Sequence, residues 1–174
     1  MKAEFEKKII ELGFSYQCNT AGLYNLYKNN VTNSILYTQL ICSEPVDESK
    51  LGSRNGNVIQ SIGYFIFNLP TEAKVQGFLI LAFQNTNNHF VEFIIITKNE
   101  LLRRLKKKHR ISTDNRIIDM VFWLMVDNHL YECSDISVEG EWYFLSKGVN
   151  GRMGDGTEWD YSEFLNEWEG LKTV

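Results

Sequence analysis

Between Ser61 and Arg110 the chain places three apolar runs in succession: SIGYFIF, GFLILAF and VEFIIIT. Each is short, rich in β-branched and aromatic residues and bounded by turn residues, which predicts strands. Asn68-Leu69-Pro70-Thr71 separates the first two, because proline removes a backbone donor and favours turns. The polar stretch Gln84–Asn88 separates the second from the third and predicts a hairpin. Gly77–Phe83 has almost no polar alternation, as expected of a central strand buried on both faces. Thr97 and Glu100 then carry the spacing of a capping box, and Leu101, Leu102 and Leu105 give the following helix one apolar face.

Outside that stretch the pattern predicts a helix over Ala3–Leu12, with Phe5, Ile9 and Leu12 on one side and Gly13 ending it. Gly22–Tyr27 and Ser34–Ile41 read as strands joined by the polar turn Lys28–Asn33. Ser43–Asn57 is a long polar loop, a length that marks mobile or functional segments. Ile117–Val126 and Leu130–Cys133 read as strands around the turn Asp127–His129, and Glu141–Leu145 as a short edge strand. Gly148–Gly156 holds four glycines without the G-K-[ST] ending of a phosphate loop, and reads as a connector. Tyr161, Phe164, Leu165 and Trp168 stand at i, i+3, i+4 and i+7 and predict a closing helix with Asp160 and Glu163 at its start. The expectation is one α/β (α+β) domain over residues 1–174, with a central mixed sheet of about five strands flanked by helices.

Composition narrows the class. Hydrophobic content of 44% and charged content of 23% are globular values. No apolar run approaches the ~20 residues of a membrane span, and the N-terminus lacks a signal-peptide core. Cys18, Cys42 and Cys133 are far apart and odd in number, which suggests reduced thiols and a cytoplasmic setting. The net charge of −4 is uneven: residues 1–118 hold 15 Lys+Arg and 10 Asp+Glu, residues 119–174 hold 3 and 12. A basic front and an acidic back point to a polyanion on one face and a basic partner on another, or to mutual neutralisation.

Chemistry is sparse. His89, His109 and His129 have neither H-x-x-x-H spacing nor a cysteine pair, so no zinc site is expected. Asp127, Glu132 and Asp135 flank one turn and would hold a divalent cation only if they converged; acids of a turn and an edge strand are the plainer reading. Arg103, Arg104, Lys106, Lys107, Lys108 and Arg110 fall within eight residues. They are either the solvated, dipole-complementing end of a helix or a patch for nucleic-acid phosphate.

The order of elements resembles the core of the PD-(D/E)XK (restriction-endonuclease-like) superfamily, in a subset that runs "xQVKSS", "xFxL", "FLIL", "FIIP" and then an "xELL" helix. Residues 37–43 (YTQLICS), 65–69 (FIFNL), 77–81 (GFLIL), 93–97 (FIIIT) and 99–102 (NELL) are similar to these in turn, and residues 161–168 resemble the closing "Y…W" helix. The resemblance implies that Ser34–Ile41 pairs beside Gly63–Leu69. It also implies a metal-binding acid on the first hairpin and an E/Q-x-K on the next strand, together holding Mg²⁺ and activating water. Gln39 fits the Q position, but Ile41 stands at the lysine, and Asn25, Tyr27 and Lys28 stand where the acid belongs. The implied protein is a nuclease scaffold without its catalytic parts, binding DNA or RNA through the basic cluster. Tyr24, Tyr27, Tyr37 and Tyr64 line a concave side or pack the core. Glu44, Asp47 and Lys50 in the long loop are the replacements for an active Mg²⁺-dependent nuclease. The second expectation, from another class, is an acidic protein-binding module of inhibitor or immunity type whose carboxylates (Glu139, Glu141, Glu158, Glu163, Glu167) cover a basic protein, and the active nuclease, on the 44–50 loop or the Asp127–Asp135 hairpin, comes third.

Overall fold

A computed structural model describes residues 1–20, 24–46, 59–68, 77–86, 88–107, 117–133 and 159–173. The order is α1 (Lys2–Glu11), β1 (Phe14–Thr20), β2 (Tyr24–Asn29), β3 (Ile35–Cys42), β4 (Ile59–Asn68), β5 (Phe78–Gln84), β6 (Val91–Thr97), α2 (Lys98–Lys107), β7 (Ile117–Met125) and β8 (Leu130–Cys133). The architecture is α+β: a mixed five-stranded sheet in the order β1-β2-β3-β5-β6 and a three-stranded sheet in the order β4-β7-β8.

The first sheet is an antiparallel meander, β1 to β3, followed by β5 parallel to β3 and β6 antiparallel to β5. Parallel neighbours require a long crossover. Residues 43–77 supply it, and since β2 and β5 already occupy the two edges of β3, the strand β4 within that crossover has no place beside it. It pairs antiparallel with β7 over nine registered residues, from Ile59↔Met125 to Asn68↔Ile117. The expected pairing of Ser34–Ile41 with Gly63–Leu69 is therefore wrong. Its remnant is a single bridge, Glu44↔Tyr64, just past the end of β3.

Alternation explains the layers. On one face of the large sheet Leu36, Ile80, Ala82, Phe93 and Ile95 pack under Phe5 and Ile9 of α1 and Leu171 near the C-terminus. The other face, with Leu79, Leu81, Phe83, Ile94 and Ile96, packs against Phe65, Phe67, Met120, Phe122 and Leu124 of the small sheet and Leu101 and Leu105 of α2. Strands β5 and β6 are thus covered on both sides, as a run without polar alternation demands. Gly63 permits close approach between the sheets: a β-carbon there would lie 2.8 Å from Phe65 Cε2 and 3.1 Å from Phe83 Cγ. Gly13 ends α1 at φ +85°, the left-handed stop that glycine supplies without strain.

The closing segment is not an α-helix. It forms two 3₁₀ turns, Ser162–Phe164 and Trp168–Thr173, divided at Asn166 with φ +55°. Backbone pairing overrides the helical spacing here. Tyr161 N–H donates to Leu130 O at 2.7 Å and Glu132 N–H to Trp159 O at 2.9 Å. Farther along, Leu165 bridges Ile94, Asn166 N–H donates to Phe93 O at 2.7 Å, and Phe93 N–H donates back to Asn166 Oδ1 at 3.0 Å. One segment thereby covers the outer edge of β8 and then that of β6. No described helix is long and apolar enough to cross a membrane.

Candidate functional site

Of the cations of helix α2, Lys98 and Arg104 are buried and Arg103, Lys106 and Lys107 are exposed. Glu100 N–H donates to Thr97 Oγ1 at 3.2 Å, the first half of the capping box. The Glu100 carboxylate does not complete the box. It accepts from Arg103 Nε at 2.7 Å and Nη2 at 2.6 Å, and from Arg104 Nε at 2.7 Å. Arg104 is only 3% exposed: its Nη2 donates to Glu163 Oε1 at 2.6 Å, its Nη1 donates to Asp160 O, and its guanidinium lies 4.7 Å from the Tyr161 ring centroid and 4.8 Å from that of Phe164. As a phosphate-binding residue Arg104 is therefore a correction; it is a buried tie to the closing segment. Arg103 stays exposed while paired with Glu100, and Lys106 and Lys107 are exposed at the helix end. Lys108 and Arg110 lie outside the described residues.

This network is pH-dependent with a definite sign. The Arg103 hydrogen bonds, with Arg104 beside them, hold the Glu100 carboxyl down at about 2 from an ordinary 4.5. A carboxyl lowered on folding contributes stability that is complete above about 4.5 and is lost as pH falls toward 2. Urea unfolding between pH 6 and 2.5 is expected to show this loss, and Glu100→Gln to flatten it. An unchanged slope in the variant would assign the acid sensitivity to other groups.

The position of the resembled nuclease chemistry does not assemble. Asn25 is opposite Thr38 in the β2–β3 register, so Gln39, one residue on, points to the other face of the sheet. The Gln39 Oε1 atom is buried without a hydrogen-bond partner among the described residues, and Ile41 packs in the core between the sheets. Glu44 leaves the strand: its N–H donates to Tyr64 O at 2.7 Å, and its side chain is exposed at the rim of a cavity of about 370 Å³ that Ser43, Ile62 and His89 also line. Asp47 and Lys50 lie outside the described residues. Asp127 pairs with His129 at 3.2 Å in an exposed turn, Glu132 is fully buried, and Asp135 is not described. Among the described residues no three His, Cys, Asp or Glu side chains form a metal-holding group. The tyrosines also separate. Tyr27 is in the core beneath α1, Tyr24 lies against Gly77, Tyr37 is half-buried, and Tyr64 packs on the outer face of the small sheet. Of the carboxylates expected to meet a basic protein, Glu163 is engaged by Arg104 and Glu167 is exposed, while Glu139, Glu141 and Glu158 are not described.

Sequence patterning misses one feature. Lys2, Glu6 and Ile10, spaced at i, i+4 and i+8, form a stripe along α1 that faces the β1–β2 hairpin across a groove of about 470 Å³. Phe14 and Tyr27 form its buried floor, and Tyr16 and Asn25 its far wall. Tyr16 is 56% exposed, and its ring and that of Tyr27 meet in a T-shaped contact with centroids 5.7 Å apart. Lys2 Nζ lies 3.8 Å from Glu6 Oε1, and Asn25 Oδ1 accepts from Asn19 Nδ2 at 3.0 Å. Burial pushes the Tyr27 phenol pKa up, and the nearby Glu6 charge adds to it, so a neutral hydroxyl stands beside the Asn25 amide. Nothing in the sequence marks it, because its residues come from a helix and a hairpin and meet only on folding. No family model, curated protein or solved structure matches this chain.

Proposed function

We propose that this chain is a nucleic-acid-associated domain that binds without cutting. The observation that carries the reading is the exposure of Lys106 and Lys107 at the end of α2, in a sequence that continues with Lys108 and Arg110. Cations at a helix end interact with phosphate as point charges and need no base-specific geometry. The non-cutting half rests on the region itself, since the strand pairing implied by the resembled nucleases is absent: Ile41 is an apolar core residue, and Asn25 and Gln39 lie on opposite faces. An amide and a hydrocarbon on separate faces neither hold Mg²⁺ together nor activate a water.

Fluorescence anisotropy with labelled oligonucleotides tests this. Binding is expected at ~50 mM salt and is expected to weaken steeply by ~200 mM. The Lys106→Glu/Lys107→Glu double variant should lower affinity at both salt levels and reduce the log–log salt slope by about 2, roughly one unit per lost phosphate contact. Absence of binding at the lower salt would remove the reading. Cleavage that needs Mg²⁺ and stops with EDTA would overturn its non-cutting half.

A further inference from the structure

Lys98 is a cation in a place that suits an anion. It is the first residue of α2, where the helix dipole favours negative charge, and it is only 6% exposed. Burial alone pushes its ammonium pKa down, with no carboxylate among the causes, so the neutral, nucleophilic amine is more abundant at a given pH. Leu79 and Ile96 are cross-strand partners on the face of the large sheet that meets the small one. Gly77 and Lys98 lie two residues farther along and share that face, and Lys98 N–H donates to Gly77 O at 2.9 Å. Gln39, in register with Leu79, lies on it as well. The Tyr24 ring fills the space of the missing Gly77 side chain: a β-carbon there would be 2.6 Å from Cε1 and 2.9 Å from Cζ. The Tyr24 hydroxyl, one bond from that Cζ, therefore stands near the root of the Lys98 side chain, since directly opposed β-carbons are about 5 Å apart. Tyr24 is 2% exposed, and neither its hydroxyl nor the buried Gln39 Oε1 has a hydrogen-bond partner among the described residues. Buried groups of this kind ordinarily find partners. The phenol lacks an acceptor, and the amide oxygen lacks a donor.

We propose that Lys98 is a carbamate site: its amine takes up carbon dioxide, and the resulting N-carboxylate accepts a hydrogen bond from the Tyr24 hydroxyl and donates its N–H to Gln39 Oε1. The Nζ lone pair forms the N–C bond, one C=O electron pair moves onto oxygen, and one Nζ proton leaves to solvent. A neutral amine and CO₂ thus give one anion and one proton, with no oxidant or reductant. Access selects the reagent, because an amine this buried is closed to bulky acyl donors and open to a small uncharged molecule. The added carboxyl also extends the side chain toward groups that the ammonium itself does not bond. It replaces an uncompensated cation with an anion at the positive end of α2. Burial raises the Tyr24 phenol pKa, which keeps the hydroxyl protonated as the donor. The site is independent of the nucleic-acid reading.

The test is ¹³C NMR of the full chain in mildly alkaline buffer equilibrated with ¹³C-labelled bicarbonate. Trapping with triethyloxonium and peptide mass spectrometry locate the carboxyl without any variant. The expected result is a carbamate resonance, distinct from bicarbonate and dissolved CO₂, and an ethylated carboxyl on Lys98. Lys98→Met, which keeps most of the stem and removes the buried charge, should abolish both. Tyr24→Phe, which keeps the ring on Gly77, should lower occupancy about tenfold or more at the same CO₂ level, as expected for one lost hydrogen bond to a charged group. Circular dichroism is the control for both variants. No resonance would overturn the proposal, and so would one that survives Lys98→Met or is trapped only on the Met1 amine, which is already paired with Glu4. Unchanged occupancy in Tyr24→Phe would overturn the hydroxyl as the partner of the anion, and with it the site as drawn.

Discussion

Replacing Arg104 with alanine is expected to lower the unfolding free energy by about 3 kcal/mol, the lower end of the cost of breaking a buried ion pair. The guanidinium is 3% exposed and ties three things at once: Glu100 on its own helix, the Asp160 carbonyl, and Glu163 across 59 residues of chain. Its removal leaves Asp160 O without that donor and takes the cation from over the Tyr161 and Phe164 rings. The estimate stays at the lower end because Glu163 is 66% exposed and water compensates it, and because Glu100 keeps Arg103. Lysine should recover little, since a point charge cannot serve several acceptors in the plane of a fork. Equilibrium urea unfolding at neutral pH checks this. A loss under about 1 kcal/mol would show that the closing segment is held by its apolar contacts and backbone pairing alone.

Phe122→Ala should cost more, about 3–5 kcal/mol. Phe122 has no exposed surface and lies between Phe65 and Tyr161, with ring centroids 5.9 and 4.9 Å away, both edge-to-face. The cavity would open in the contact between the two sheets, where strand pairing on both sides limits collapse. Phe122→Leu should cost about 1–2 kcal/mol, because it keeps most of the volume and loses mainly the ring contacts. Chemical denaturation of both variants gives the comparison. Equal losses would mean that the rings contribute nothing beyond bulk, and a small loss for alanine would mean that the sheets close over the gap.

The residues differ in how much of this they disclosed. Strands β5 and β6 and the hairpin between them were legible because a run such as FLILAFQ, apolar on both faces, has one comfortable place in a small domain. The helix after Thr97 was legible from its cap. Strand β1, FSYQCNT, was not: it lies at an edge with most of its side chains in water, so no periodicity records it. The assignment of β4 failed for a different reason. Its strand character is plain, but its partner is chosen by β7, whose Met120, Phe122 and Leu124 match it face to face from more than 50 residues away. Sequence spacing also made the closing segment a helix, since Tyr161, Phe164 and Leu165 do point inward together. The unpaired edges of β6 and β8, which claim its backbone, are visible only in three dimensions. The cationic cluster was legible as charge but not as its division: nothing in RRLKKK says that the second arginine turns inward to meet a carboxylate 59 residues later. The groove was invisible for the same reason, being made by a helix and a hairpin whose residues lie on separate elements.

Residues 159–173 fasten the borders of both sheets, and this bears on synthesis. A ribosome releases the chain from the N-terminal end at about 5–20 residues per second, and elements fold as their partners emerge. The meander, α1 and the β5–β6 pair can form early. Until the Asn166 backbone reaches Phe93 and Tyr161 reaches Leu130, however, two rows of amide and carbonyl groups stand open to any neighbouring strand. A nascent chain stalled before residue 159 is thus the form most exposed to aggregation, and adding residues 159–173 is what withdraws it from that hazard.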